Sequence, residues 1–411
     1  MNDFLHTSHK SVTIRKLTPF ILLVENGFGK GLRMKLALVF LTILLLATIS
    51  FAQPSSPGIS QVLAFFCNQN FTSCPNGFDP TLPPVQLPDG NLYVSTWWGG
   101  QGNPNAGGTV FRAAPSGQGI VIHTFQPASL NKFPNGEHPV IAFTEGTDGN
   151  LYGVTEQGGA SNNGVMYKLA RNGSFQVLYN FCSLSGCPDG PGPLTLANDG
   201  NFYGGEFHSI YRITPQGNWS LLHALDPSTE GTAGGLIQAS DGNFYGAGWL
   251  NDHGTIFRVT PSGQFTILQQ LQLGEGVSSN LVQASDGNIY GATGLSGAGT
   301  GIFRMSLPGY LEFIHQMTDG EGYSPIQLLQ ASDGNLWGLS DFRNGSFFAI
   351  TLGGASLTSG AFNCNTTGCQ PQGMIEGKDG NFYGTAIMGG TAPGNPEGTV
   401  FRIAAGLGRR L

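Results

Sequence analysis

Ala239-Ser240-Asp241-Gly242-Asn243-Phe244-Tyr245-Gly246 carries the phrase that organises this chain. Asp-Gly-Asn occurs seven times, opening at Asp89, Asp148, Asp199, Asp241, Asp286, Asp333 and Asp379, almost always with an aromatic residue after it. A fixed phrase at a period of about 40–50 residues predicts stacked supersecondary units. Around Asp241 the reading is strand by strand. Leu236–Ala239 is a short strand. Ser240–Asn243 is a hairpin turn, because Asp and Asn tolerate left-handed φ and Gly prefers it. Phe244–Ala247 is the second strand and Gly254–Val259 the third. Pro261-Ser262-Gly263 turns the chain into a fourth, Phe265–Leu268. β-Branched and aromatic residues between Gly, Pro, Asn and Asp punctuation are the strand signal, and no stretch after residue 52 shows a sustained helical period with caps.

The other units repeat this with drift. Third strands recur at Gly108–Arg112, Gly164–Lys168, Ser209–Arg212, Gly301–Arg304 and Gly398–Arg402, whereas the sixth unit has Ser346–Ala349 without the basic residue and Trp337 in place of the usual Tyr. Four-stranded antiparallel units of this size are propeller blades. The last unit lacks a fourth strand, and Gln61–Phe66, ahead of the first complete unit, resembles the fourth strands Gln176–Phe181 and Ser220–His223. The expected fold is therefore all-β: a seven-bladed β-propeller of four-stranded antiparallel blades, closed by the N-terminal strand completing the last blade. Closure removes the exposed edges that an open solenoid would leave at both ends.

Residues 1–52 read as a leader. Met34-Lys35 precedes an apolar run from Leu36 to Ile49, then Ser50-Phe51-Ala52, the layout of a secretory signal peptide with cleavage after Ala52. The run is short for a membrane span, which needs about 20 residues; a retained signal anchor is the alternative. Residues 53–411 then form one propeller domain with no membrane span. The leader holds six of the 18 Lys and Arg and two of the 25 Asp and Glu, so the remainder carries 12 basic against 23 acidic residues, a net charge near −11. Such a chain repels phosphate backbones, which argues against nucleic-acid partners. The six cysteines fall in close pairs, Cys67/Cys74, Cys182/Cys187 and Cys364/Cys369. In an exported chain these read as three disulfides, each closing a short loop worth about 2 kcal/mol. No pair has CxxC spacing or an adjacent His, which argues against zinc.

The phrase Asp-Gly-Asn-Phe-Tyr-Gly, a Gly-Gly loop, Gly-Thr-Val-Phe-Arg-Ile and Pro-Ser-Gly resembles the Gloeo-Verruco (GloVer) repeat. The likeness is strongest over Asp379–Ile403 with Gly389-Gly390, weakest in the third and sixth units, and extends from Ile59 to Ile403. It implies a bacterial tandem-repeat protein, secreted or held in the cell envelope, without assigning an activity. More distantly, the Asp-Gly-Asn-aromatic phrase is similar to propeller lyases acting on antibiotics and to sensor propellers.

Repeated residues are read as structural first. Each Asp-Gly-Asn offers one carboxylate, whereas calcium wants six to eight oxygens, so these are turns and not metal loops. The tyrosines at 93, 152, 203, 245, 290 and 383 are expected to pack blade against blade. The basic residues Arg112, Lys168, Arg212, Arg258, Arg304 and Arg402 are expected to make surface or inter-blade pairs. Function lives in what breaks the repeat. In a four-stranded blade the loops between strands two and three share a face with the loops between blades. That face carries Trp97, Trp98, Glu156, Glu206, His208, Trp249, Asp252, His253, Asp341 and Arg343, joined by Glu137 and His138 from a between-blade loop. Trp97, Trp98 and Trp249 offer flat faces for a sugar or an apolar peptide. The expected function is binding or scaffolding at the cell surface or outside the cell, by a monomer, with carbohydrate or an extracellular protein as partner. The alternative is a propeller lyase or glycoside hydrolase at the channel mouth, with Glu206, His208, Asp252 and His253 as acid–base candidates. No GxSxG, HExxH or phosphate-loop motif appears, and neither cofactor nor metal is expected.

Overall fold

The repeat around Asp241 folds into the strands Thr232–Gln238, Phe244–Leu250, His253–Val259 and Phe265–Leu273, side by side in chain order. The structure, a computed structural model, describes residues 58–66, 74–100, 106–129, 132–139, 143–181, 192–206, 208–294, 300–390 and 398–404. Seven such antiparallel sheets make a seven-bladed β-propeller, and no α-helix occurs among the described residues. The leader expected over residues 1–52 lies outside them, as do Cys67, Cys182 and Cys187. Cys364 and Cys369 form the expected disulfide, and Cys74 is disulfide-bonded too.

The ring closes as the repeat arithmetic requires. Gly58–Phe65 pairs antiparallel with Thr399–Ala404, placing Val62 opposite Phe401 and Ala64 opposite Val400. The first strand of the chain is thus the outer strand of blade 7, beside Cys369–Glu376, Phe382–Met388 and Thr399–Ala404.

Packing explains the repeated phrase. Buried apolar residues form seven clusters, one at each junction between neighbouring blades. Tyr383 and Val400 of blade 7 meet Leu92, Val94 and Phe111 of blade 1, for example. The repeat tyrosines pack blade on blade: Tyr152 lies 4.5 Å from Phe202 and Tyr203 lies 4.2 Å from Phe244, ring centre to ring centre. The glycine after Phe-Tyr is needed for space. A Cβ on Gly246 would sit 2.4 Å from the ring of Phe257 on the neighbouring strand.

Polar bonds tie successive first strands into an inner ring. The amide of the residue preceding the turn Asp donates to a Gln or Glu side chain of the next blade. The pairs are Asn198 to Gln238, Ser240 to Gln283, Ser285 to Gln330, Ser332 to Glu376 and Lys378 to Gln86, all at 2.7–2.8 Å. Pro88 lacks the N–H, so the series cannot run from blade 1 to blade 2. Two first strands are interrupted. Glu137–Pro139 and Thr144–Glu145 both pair with Leu151–Gln157 in blade 2, and Gly276–Val277 and Val282–Gln283 both pair with Ile289–Gly294 in blade 5. Glu137 and His138 are therefore not in a between-blade loop, as expected from sequence. They begin an inner strand.

Two stability measurements test this architecture. Gly263 (φ +88°) and Gly242 (φ +82°) are both left-handed, but a Cβ on Gly263 would sit 2.3 Å from the Leu222 carbonyl oxygen of the preceding blade, whereas one on Gly242 meets nothing within 4 Å. Gly242→Ala should cost about 1–2 kcal/mol in urea unfolding. Gly263→Ala should cost a further ~1–3 kcal/mol from the clash; equal losses would mean the blades do not abut there. A chain starting at residue 67 exposes the edge of Thr399–Ala404. It should unfold at lower temperature and self-associate in sedimentation, and an unchanged monomer would contradict closure by the first strand.

Candidate functional site

The two faces of the ring differ in chemistry. The turn face holds the seven Asp-Gly-Asn hairpins, and their carboxylates are fully used. In each, one carboxylate oxygen accepts from the amide of the Asn two residues on. The other accepts the phenol of the Tyr four residues on, at 2.7–3.0 Å. Blade 6, where Trp replaces Tyr, keeps the bond through Trp337 Nε1 to Asp333 at 3.1 Å. Burial, then the hydrogen bond to Asp, pushes Tyr203, Tyr245, Tyr290 and Tyr383 up to about 12. Burial would raise the Asp carboxyls, but the Asn and Tyr bonds hold those of Asp89, Asp199, Asp241 and Asp286 below the ordinary value. Basic residues of the third strand sit over these pairs. Lys168 Nζ is 2.6 Å from Asp148, and Arg304 bonds Glu312 in its own blade. Arg112 also reaches the Arg171 carbonyl of blade 2 at 3.5 Å. The repeated Asp carboxylates of this face are thus taken up by bonds within their own blades.

The loop face is where the repeat diverges. Trp97 and Trp98 leave the strand Leu92–Thr96 and are pinned to the segment before blade 1. The Trp97 amide donates to Asp79 O (2.9 Å), and Phe78 and Trp98 exchange backbone bonds. Beside them stands His138, at the start of blade 2. Its imidazole stacks on Trp97 (ring centres 5.2 Å apart, 15° between planes) and meets Trp98 edge-on at 4.1 Å. His138 is 5% exposed, yet neither ring nitrogen has a hydrogen-bond partner. Glu137 is also buried, with Oε2 4.0 Å from His138 Nε2. Burial favours the uncharged form of both: it raises the Glu137 carboxyl and lowers the His138 imidazole to about 4.

His138 also has a left-handed backbone, φ 55°, immediately before Pro139. Asp79 before Pro80 (61°) and Gln370 before Pro371 (55°) do the same. Each is third in a Gly-x-x-Pro phrase at the head of an inner strand: Gly77–Pro80, Gly136–Pro139 and Gly368–Pro371. A non-glycine residue in this region costs about 1–3 kcal/mol. Anchoring bonds hold it there. The His138 amide donates to Gly107 O of blade 1 (2.8 Å), and the Gln370 amide to Asn344 O of blade 6 (2.9 Å). The phrase does not by itself impose this conformation, since Gly322–Pro325 carries it in blade 6 without a left-handed Ser324.

The remaining loop-face residues are more dispersed. Trp249 is 41% exposed and lies over Gly276, where a Cβ would come within 2.2 Å of its ring. Asn251 and Asp252 (φ 50° and 63°) are the two-residue turn joining Phe244–Leu250 to His253–Val259, and Asp252 is exposed. His253 Nδ1 is bonded to Leu271 O at 2.8 Å. His208 is exposed, and the backbone of Glu206 pairs with Ser209. Among the described residues no hydrogen bond or ion pair joins His208, Asp252 and His253. Glu156 lies on blade 2 with Oε2 buried and unpartnered. On blade 6, Arg343 covers the ring of Phe342 at 5.1 Å, Phe342 meets Tyr323 edge-on, and Asp341 is exposed nearby. An open cleft of about 450 Å3 lies between blades 4 and 5, and one of about 370 Å3, between blades 2 and 3, opens on the turn face beside Asp148, Tyr152 and Lys168; neither touches Trp97, Trp98 or His138.

The depressed imidazoles have a consequence for stability. His123, stacked on Phe175 between blades 1 and 2, is lowered by burial to about 4, like His138. Both titrate near 6.5 when unfolded, so between pH 6.5 and 4 the unfolded chain binds more protons. Their stabilisation is complete above pH 6.5 and lost on acidification towards 4, about 3 kcal/mol for each. The raised Glu137 carboxyl acts in the opposite sense. Urea unfolding should show stability falling between pH 7 and 4.5, and His123→Phe should flatten that slope. A level wild-type profile over this range would contradict the buried, uncharged imidazoles.

Solved structures of similar fold include a catalytically inactive variant of virginiamycin B lyase from Staphylococcus aureus with quinupristin, 15% identical with a TM-score of 0.57, the match covering 82% of this chain and 98% of that one. The extracellular domain of a proposed hybrid two component system from B. thetaiotaomicron is 12% identical with a TM-score of 0.55, covering 83% of this chain and 42% of that one. The periplasmic gluconolactonase of Pseudomonas aeruginosa is 17% identical with a TM-score of 0.50, covering 69% and 86%. At these identities the likeness is one of fold. No curated protein matches the chain. The family model described as the Gloeobacter/Verrucomicrobia repeat matches residues 58–248, 208–338 and 247–409, so the chain belongs to that repeat family.

Proposed function

We propose that this propeller is an exported recognition module, acting at the cell surface or outside the cell, with its loop face as the binding surface. Carbohydrate or an extracellular protein is the partner. The observation that carries this reading is the state of the loop-face tryptophans. Trp98, on the connection between strands two and three of blade 1, and Trp249, near the end of the second strand of blade 4, are 36% and 41% exposed, whereas the repeat's own tyrosines are buried. Large aromatic rings held open on a rigid scaffold are the usual means of gripping sugar rings and apolar side chains. Export is supported by the leader layout and by the Cys364–Cys369 disulfide, a bond that persists in oxidising compartments. A lyase or hydrolase built on Glu206, His208, Asp252 and His253 draws less support, because His253 Nδ1 is already engaged by Leu271.

Screening residues 53–411 on a glycan array and against extracellular protein fractions tests the proposal. Bound ligand should be lost or weakened about tenfold, the equivalent of ~1.4 kcal/mol, in Trp98→Ala or Trp249→Ala. Capture that is indifferent to all three substitutions, Trp97→Ala included, would move the binding surface off the loop face.

A further inference from the structure

His138 stands apart from every other described histidine. His223 has both nitrogens bonded, to Gly263 O and Glu230, and so has His315, to Gly354 O and Glu321. His253 is engaged through Nδ1, and His208 is in solvent. His123 has a single fully buried nitrogen without a partner, Nε2, between apolar rings and with no second polar group beside it in those contacts. His138 alone buries two unused nitrogens, with a carboxyl group at its side and two indoles around it. Buried polar groups are bonded as a rule, and a native exception asks for a partner. Holding this imidazole at φ 55° before a proline adds strain to the cost.

The geometry indicates what that partner is. Glu137 Oε2 and His138 Nε2 are 4.0 Å apart, too far for a direct hydrogen bond. An oxygen brought between them would lie at hydrogen-bonding distance from both; the imidazole nitrogens are closed to solvent in this structure, so a ligand must displace the partly exposed Trp98 to reach them. That oxygen must accept from one group and donate to the other, which a hydroxyl does. An anion would meet the Glu137 carboxyl, and a quaternary ammonium would satisfy neither imidazole nitrogen. Trp98, partly open to solvent next to the pair, supplies a flat apolar surface of the kind on which sugar rings lie.

We propose that Trp97, Trp98, Glu137 and His138 form a binding subsite for an uncharged, hydroxyl-bearing ring of the neutral pyranose class, one hydroxyl bridging Glu137 and His138 while the ring packs against Trp98. The inference rests on the loop-face reading above and narrows it to the junction of blades 1 and 2. Trp97 fixes the imidazole plane by stacking, and Glu137 and His138 select for hydroxyl over charge.

Titration with the methyl glycosides of glucose, galactose, mannose and N-acetylglucosamine, with galacturonic acid as the charged control, tests this. Tryptophan emission and the His138 ring nitrogen resonances, assigned by their loss in His138→Gln, are the readouts. At least one neutral glycoside should shift both saturably, and galacturonic acid neither. His138→Phe keeps the stack and removes the hydrogen bonds; it should weaken that glycoside at least about tenfold. Should His138→Phe unfold, His138→Gln and Trp98→Ala give the same comparison, with near-ultraviolet circular dichroism reporting the fold. No shift with any neutral glycoside overturns the subsite, including the case in which an internal water alone bridges the pair. Equal affinity in the His138 variants overturns it too. A ligand found on the array that is lost in Trp249→Ala but unaffected at His138 leaves the recognition module standing and removes only this subsite. Silence in both assays removes both.

Discussion

Burial of blade faces is the constraint on which the remainder of this structure depends. An isolated four-stranded sheet of this composition would present an inner and an outer edge and bury little. Each blade instead lays an apolar face on the next, and the seven junction clusters together are the core. The ring is completed at two places far apart in sequence. Gly58–Phe65 zips onto Thr399–Ala404, and the Lys378 amide donates to Gln86 at 2.8 Å, nearly 300 residues away. Every other junction joins chain neighbours; this one fixes the circumference. Once it forms, the inner bonds run unbroken from blade 3 through blade 7 to blade 1, while blade 2 is held by its two junction clusters and by the His138 amide on Gly107 O.

This anchoring explains how strain and unmet hydrogen bonds persist at the junction of blades 1 and 2. His138 is held from three sides: its amide by Gly107, its ring by Trp97 and Trp98, and its following residue by the pairing of Pro139 with Thr155. None of these groups belongs to the repeating phrase. The repeat supplies the frame, and the departures from it supply the chemistry, as expected where function is grafted on a fold.

Much of the frame was legible in the residues because its causes are local. Asp-Gly-Asn needs only its own φ values to be a turn, and Gln61–Phe66 could be matched to other fourth strands by likeness alone. The second duty of the Asp, accepting a phenol from four residues on, was not anticipated, although the spacing is short. Neither was the series of Gln and Glu side chains at 86, 238, 283, 330 and 376, whose partners lie 40–45 residues away, or 292 for Gln86, and meet them only after blades dock. The site was legible in part. Trp97 and Trp98 stood out as aromatics in a variable loop, and Glu137 and His138 were placed on the same face. Their union was hidden, because an imidazole's burial and its missing partners depend on a blade contributed from elsewhere in the chain. The Gly-x-x-Pro phrase was a partial signal at most, because Gly322–Pro325 carries it without the left-handed residue seen at Asp79, His138 and Gln370.

Zipping the first strand onto the last has a bearing on the order of events during synthesis. Strand Gly58–Phe65 emerges early, yet the edge it must join is not made until Ala404 has been polymerised. For that whole interval Ile59 and Val62 have no sheet to enter, and six blades can assemble only as an unfinished arc. Contacts of such long span are slow to form, since the loop entropy is spent before the contact is gained. A chain delayed in this way stays pliable until its last blade has been made.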